Sequence, residues 1–413
     1  MTVDVLVVGA GPAGLAAATE LRRLGAGTVL VAEREEVAGG VPRHCAHTGF
    51  GLRDLHRVVT GPGYARRHAE AAAAAGADVR TGTTVTGWTG ARTVRLTSPW
   101  GVETVSPAAV LLATGCRERP RAARLVPGDR PAGVMTTGEL QQRVYLGGER
   151  FPGRAVVVGA EHVSFSALLT LAHARARVAG LVTGQPASQS YAAFRLAASA
   201  RWRVPVWTET VVRRITGRGR LAGVELAGPD GMPRFVPCDT VVFTGDWIPD
   251  HELARRSGAD IDPGTRGPSV DTALETSLPL VFAAGNLVHA AETADVAALG
   301  GRHAARQIAA ALGGPGPATR LPVRAEPPLA WIFPNAIRWA PGAGAGPVPP
   351  PRRRFLLRTG EFRGPGRFEV RQDGRVLAAV RHGRLIPARS IGLDAGWITS
   401  ADPGGGPVRV RLG

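Results

Sequence analysis

The chain has 413 residues, 44% of them hydrophobic, with 50 Lys plus Arg against 33 Asp plus Glu. Every basic residue is arginine and the arginines are scattered, so the net charge of +17 reflects composition and excludes the clustered stripe a nucleic-acid surface requires. The three cysteines, Cys45, Cys116 and Cys238, form no C-x-x-C pair, which excludes a redox dithiol or a four-cysteine metal or iron–sulfur centre built from this chain alone.

No apolar run reaches the ~18 residues that span a bilayer. The first residues, "VDVLVVGAGPAG", already read as a strand and a turn, so a soluble, cytoplasmic protein is expected. "PAGLAAATELRRLG" follows as a helix with apolar residues at helical spacing, ended by Gly25, and "TVLVAERE" as a second buried strand. The helix "YARRHAEAAAAAGA" precedes short strands with turn signals to about residue 106, a β-meander, and "AAVLLATG" returns to the core as a strand.

From Gly153 the pattern restarts. "GRAVVVGAEHVSFSALLTLAHARARVAGLVTG" is another strand–turn–helix–strand, followed by further strands and a closing "CDTVVFTGD". "LPLVFAAGN" then adds a strand, and a long helix runs to residue 312. The expected fold class is therefore α/β: two Rossmann-like βαβ domains, the second inserted in the first, plus a small C-terminal β domain. The expected boundaries are 1–150 and 246–312 for the first domain and 151–245 for the insert. A Pro/Gly-rich linker at 313–351 follows, with an apolar island "LAWIFPNAIRWA", and a β domain at 352–413.

Gly9-x-Gly11-x-x-Gly14 lies between a strand and a helix, with Pro12 and Ala13 inside it. The first glycine permits the tight turn, the second lets a diphosphate approach the backbone, and the third lets helix and strand pack closely. The helix N-terminus supplies free N–H groups and the positive dipole end. Glu33, with Arg34 beside it, ends the next strand where a carboxylate takes ribose hydroxyls. This is a dinucleotide site.

The second turn, "VVVGAEHVSFSA", has Gly159 but Glu161 and Ser164 at the other two positions. Two like charges ~4 Å apart repel by roughly 4 kcal/mol at an effective dielectric of 20, about three decades in affinity. Ser164 is expected to loosen helix packing. "LVTGQ" ends the next strand without an acid for NAD or an arginine for NADP. Loss of nicotinamide binding is the reading these residues support, with arginines such as Arg201 as the counterweight.

"GAGPAGLAAATELRRLG…AERE…GG", "LLATG" and "VFAAGN" stand in the order of the two-dinucleotide-binding flavoproteins, which the chain resembles over residues 1–312. The resemblance implies FAD in the first site. It implies an interdomain crossing at Thr114-Gly115, a ribityl-holding turn at Gly285-Asn286, and a helix from Ala294 aimed at the flavin ring. It also implies that the chain after Gly40 runs over the cofactor, with Arg43 on the pyrophosphate. His44 or His47 would then serve as a general base or brace the loop. Arg302 and His303 are further candidates near the flavin, with capping or surface roles open to both.

Five segments resemble, more specifically, the FAD subunit of the hydrogen cyanide synthase, opine oxidase and hydroxyproline dehydrogenase group. They are "GGVPRHCAHTGFGLRDLHRVVTGPGYARR", "LLATGCRERPRAARLVPGDRPAGVMTTGELQQ", "GAEHVSFSA", "CDTVVFTGDWIPDHELARRSG" and "GNLVHAAETADVAALGGRHAA". That implies an amine- or imino-acid-like substrate and a second polypeptide as partner, a FAD-dependent oxidase-type or iron–sulfur protein. The cysteine-free tail departs from members that end in a cluster-bearing domain, so electrons must leave to a partner or an external acceptor. Two other readings stay open: an NAD(P)H-dependent flavoprotein reductase, and a flavin-bearing subunit without its own chemistry.

Overall fold

The computed structural model describes residues 3–192, 194, 196, 201–290, 292–314, 318–340 and 346–413. Its main helices are α1 (Pro12–Arg23), α2 (Gly61–Ala74), α3 (Thr137–Tyr145), α4 (His162–His173) and α5 (Ala294–Leu312). The chain divides into two units: residues 1–43, 48–116 and 249–413 form the first, and residues 44–47 and 117–248 the second.

The first unit is built on a five-stranded parallel sheet in the order Val281–Ala283, Ala109–Leu112, Val5–Val8, Val29–Ala32, Asp78–Arg80. All of its strands but Asp78–Arg80 are buried along their whole length, which is why they read as unbroken apolar runs and not as alternation. α1 starts at Pro12, where the missing N–H costs nothing, and ends in Arg22 and Arg23 before Gly25 turns left-handed at φ +69°. The strands Thr84–Trp88, Val94–Ser98 and Gly101–Val105 make the expected meander and send Val94, Leu96 and Val105 into the same core.

The stretch expected as a linker is largely β-structure. It carries the strands Thr319–Ala325, Leu329–Phe333 and Ala336–Trp339, while residues 315–317 and 341–345 of it lie outside the described residues. These strands join the tail. One sheet runs Ala336–Trp339, Thr319–Ala325, Val408–Leu412, Gly366–Gln372, Arg375–His382; the other runs Leu329–Phe333, Arg354–Thr359, Ile391–Asp394. Proline and glycine point to a spacer, but Leu321, Val323, Ile332 and Ile337 are buried with Phe355, Phe368, Trp397 and Val410, and burial outweighs local propensity.

The second unit repeats the architecture. Its parallel sheet runs Val134–Thr136, Thr240–Phe243, Gly153–Val158, Ala176–Val182, Val206–Trp207, with a three-stranded antiparallel sheet over Val211–Pro237.

Candidate functional site: two glycine-rich turns

In the first turn the three glycines divide their roles. A Cβ on Gly9 (φ +103°) would lie 2.6 Å from the Ala113 carbonyl oxygen, and one on Gly14 only 1.9 Å from the Gly9 oxygen. Both are forbidden by the protein's own backbone. A Cβ on Gly11 would meet nothing within 4 Å. Gly11 therefore keeps a space open at the N-terminus of α1, where as N-cap residue it brings no side chain to the first-turn N–H groups. Those donors and that space suit a diphosphate. Pro12 is the first residue of α1, Ala13 is buried behind it, and Gly40 packs so closely that its Cβ would lie 2.9 Å from the Gly11 Cα.

Glu33 is buried; its Oε2 accepts the Ala10 N–H at 2.7 Å and its Oε1 the Glu35 N–H at 2.9 Å. The carboxylate is thus fixed beside the turn, while Arg34 is exposed. Arg43 is held by Glu35, 3.0 Å away, and by the Val37 carbonyl. Thr114 Oγ1 donates to the Asp250 carbonyl at 2.8 Å and the Asp250 N–H returns to the Gly115 carbonyl at 2.9 Å, a clasp between the two crossing segments. At Gly285 (φ +73°) a Cβ would lie 2.7 Å from the Ala13 Cβ, and on Gly301 of α5 it would lie 2.0 Å from the Ala13 oxygen, so small residues bring α5 onto α1.

Asn286 is engaged with the backbone of Glu292, accepting its N–H at 2.8 Å and donating to its oxygen at 3.2 Å. Ala294 opens α5, and Asp295, buried in the first turn, accepts from Arg53 N at 3.1 Å and Val296 N at 3.0 Å. That carboxylate draws on the helix dipole from within, a role no spacing in the sequence signals. Arg302 donates to the Asp54 carbonyl at 3.5 Å and His303 bonds the Thr272 carbonyl at 2.8 Å.

His44 and His47 fall in the second unit; His44 is buried and His47 half-buried. Next to His44 in sequence, Cys45 donates to Gln141 Oε1 at 3.3 Å, and burial, reinforced by the charge of Glu118, pushes its thiol up to about 12. Burial does the same to Cys238, again to about 12. None of the three cysteines is in a disulfide, and the two buried thiols are unreactive.

The second turn is filled from inside. Glu161 sits at the N-cap of α4 yet its side chain accepts no backbone N–H there; it is buried, and its Oε2 accepts the Ser164 hydroxyl at 2.6 Å. Ser164 Oγ also meets Thr244 Oγ1 at 2.7 Å. Ser164 is expected from the sequence to loosen packing; instead it pins Glu161. The other carboxylate oxygen, Oε1, is buried without a hydrogen bond among the described residues, lying where a Cβ on Gly245 would be 2.9 Å away. Nearby Glu118 accepts the Gly138 N–H at 2.6 Å, and burial, with the charge of Glu161 adding, raises its pKa to about 7. Arg124 lies over the Phe243 ring and donates to the Thr244 and Gly245 carbonyls at 2.9 and 2.8 Å.

Two dinucleotide-type folds, one with an open glycine cradle, define a nucleotide-cofactor protein. The chain belongs to the pyridine nucleotide-disulphide oxidoreductase family, whose model matches residues 3–301. The family's proteins are FAD-dependent oxidoreductases, and the open first cradle fits that cofactor.

Among curated proteins the chain is 32% identical to the alpha subunit of sarcosine oxidase of Corynebacterium sp. over 276 residues, 62% of this chain and 27% of that one. It is 32% identical to the A subunit of opine oxidase of Agrobacterium tumefaciens over 38% of this chain and 32% of that one. It is 27% identical to the HcnB subunit of hydrogen cyanide synthase of Pseudomonas aeruginosa over 75% of this chain and 71% of that one. The chain thus spans about a third or less of the first two relatives. Among solved structures, thioredoxin reductase of T. acidophilum shares the fold, with a TM-score of 0.62 at 22% identity over 75% of this chain and 98% of that one. No helix among the described residues is long and apolar enough to cross a membrane.

Proposed function

We propose that this chain is the FAD-bearing subunit of a dehydrogenase that works at a C–N bond of an amine, amino-acid, imino-acid or opine-type substrate, with nicotinamide binding lost. The observation that carries this reading is the contrast between the turns: Gly11 keeps open the space a diphosphate needs, and Glu161, pinned by Ser164, fills its counterpart. Relatives named for sarcosine, opine and hydrogen cyanide chemistry support the substrate class, and their designation as subunits supports a partner.

Bound FAD would supply a two-electron acceptor for hydride from the carbon beside the substrate nitrogen. The chain's part is to hold and orient. The N–H groups of the α1 first turn bind the diphosphate, Glu33 takes ribose hydroxyls, and the Gly285-Asn286 turn holds the ribityl chain. Arg43 exchanges its Glu35 contact for the pyrophosphate, a charge-assisted bond. His44 and His47, four and seven residues beyond Gly40, are the family resemblance's candidates for the base that takes the proton released from the substrate nitrogen, with bracing of their own loop as the other role. With no dithiol in the chain, the electrons go to a protein partner or an external acceptor such as oxygen or quinone.

Anaerobic flavin reduction tests the proposal. Bleaching by an amino acid or opine, by the chain alone or with its partner proteins added, is the expected result. Rapid bleaching by NADH or NADPH without any by amines would overturn it in favour of a pyridine-nucleotide-driven reductase.

A further inference from the structure

The segment from Asn286 to Thr293 joins the turn proposed for the ribityl chain to the N-terminus of α5. Three of its residues, His289, Ala290 and Glu292, are held by the C-terminal β-structure. His289 is buried against Phe333 and Trp331, with ring centroids 4.4 and 5.3 Å away. Arg358 stands opposite Trp331 in the antiparallel register, with its guanidinium 5.1 Å from the centroid of that ring. It donates to the Ala290 carbonyl at 2.9 Å and to Ser390 Oγ at 3.1 Å. Ser390 in turn donates to Glu292 Oε1, and the Glu292 backbone closes on the Asn286 amide. All these gripping residues come from one three-stranded sheet or the residue beside it: Trp331 and Phe333, Arg358, and Ser390 just before Ile391–Asp394.

A second clamp ties the same β-structure to another stretch of the first unit. Arg320 and Arg338 lie between the buried carboxylates of Asp271 and Glu275. Arg320 is 3.0 Å from both, and Arg338 is 3.2 Å from Asp271 and also bonds Glu275. The four residues of this clamp all lie outside the 286–293 segment.

We infer that Arg358, acting with Ser390, Trp331 and Phe333, is a positioning residue for the cofactor: the C-terminal β-structure sets the path of the chain after Asn286 and thereby the turn and helix end that receive FAD. The inference rests on assigning Gly285-Asn286 to the cofactor site. A guanidinium suits the task because it is permanently charged and its planar fork can reach the Ala290 carbonyl and Ser390 together. Lysine offers one compact point charge and reproduces this only in part.

The test is FAD titration of the full-length apoprotein, followed by flavin fluorescence, for the parent and the variants R358A, R358K, S390A and R320A. The thermal midpoint of each apoprotein and the flavin midpoint potential of each holoprotein are measured alongside. R358A is expected to weaken FAD roughly tenfold or more and to shift the potential, with R358K between it and the parent and S390A showing a smaller loss in the same direction. R320A is expected to lower the thermal midpoint while leaving FAD affinity within about twofold. If R358A does not fold, R358K and S390A carry the test by the same criteria. FAD affinity and potential unchanged in the position-358 and position-390 variants would overturn the inference. So would an equal loss in R320A, because the grip would then serve stability alone. Failure of the parent apoprotein to take up FAD would instead count against the cofactor assignment.

Discussion

The two glycine-rich turns start from the same strand–turn–helix plan and differ in what stands over the turn. In the first, a side chain at position 14 is sterically impossible and one at position 11 would meet empty space. In the second, Ser164 carries a Cβ and a hydroxyl at the third position, and Glu161 uses both that hydroxyl and the room beside Gly159 and Gly245. A change from glycine to glutamate at one position turns a receptor for negative charge into a source of it. The lesson is that the second turn is not left hollow: the protein's own polar groups, Glu161, Ser164 and Thr244, occupy it, and burial, with the charge of Glu161 adding, raises the pKa of nearby Glu118.

The largest break of this comparison is to make the first turn resemble the second. Gly11→Glu places a carboxylate in the space proposed for the diphosphate, a repulsion of roughly 4 kcal/mol at ~4 Å and an effective dielectric of 20. FAD affinity should fall about a thousandfold, and the protein should purify without flavin colour.

The next largest effect sharpens the electrostatic side. Folding raises the Glu118 pKa from 4.5 to about 7, so between these values the folded state holds a proton that the unfolded state has released. Stability therefore falls as pH rises through that window. Glu118→Gln keeps an acceptor for Gly138 and removes the penalty. Above pH 7 it should stabilise the protein by up to the order of 3 kcal/mol, with little effect near pH 4, as read by denaturant unfolding at the two pH values.

Glu161→Gly takes away the carboxylate that blocks the second turn. On the proposed function, NADH or NADPH binding should rise by about one to two decades over the parent, measured by nucleotide fluorescence. It should stop short of full affinity because the Ser164–Thr244 pair stays and the strand ending in "LVTGQ" has no ribose partner. The same change should bring the Glu118 pKa down by removing a neighbouring charge.

The smallest effect is expected from Ser164→Ala, which deprives Glu161 Oε2 of its hydroxyl donor while leaving the charge in place. A loss of about 1–2 kcal/mol in unfolding free energy at neutral pH is expected, and a nicotinamide titration should stay flat.

Much of this is legible in the sequence because it rests on short-range chemistry. The buried parallel strands announce themselves as apolar runs, and Gly9, Gly11, Gly14 and Glu33 announce a dinucleotide turn by type and spacing. Glu161 is wrong for such a turn wherever the rest of the chain goes. The 313–351 stretch misleads for the converse reason. Its prolines and glycines speak for a spacer locally, while Leu321, Val323, Ile332 and Ile337 are buried only because the last 60 or so residues supply strands to pair with and a core to share.

The repeated α/β plan, the open first turn and the altered second one are written in the residue order, since each is a property of neighbouring residues and backbone sterics. It took the folded chain to show that Ser164, bonded to Thr244, holds Glu161 in place, that Glu118 senses its charge, that Asp295 and Arg53 share the start of α5, and that Arg358 reaches Ala290 from 68 residues away. Such contacts depend on which buried polar groups find one another once strands are in register, and no local pattern encodes the partner of a buried charge.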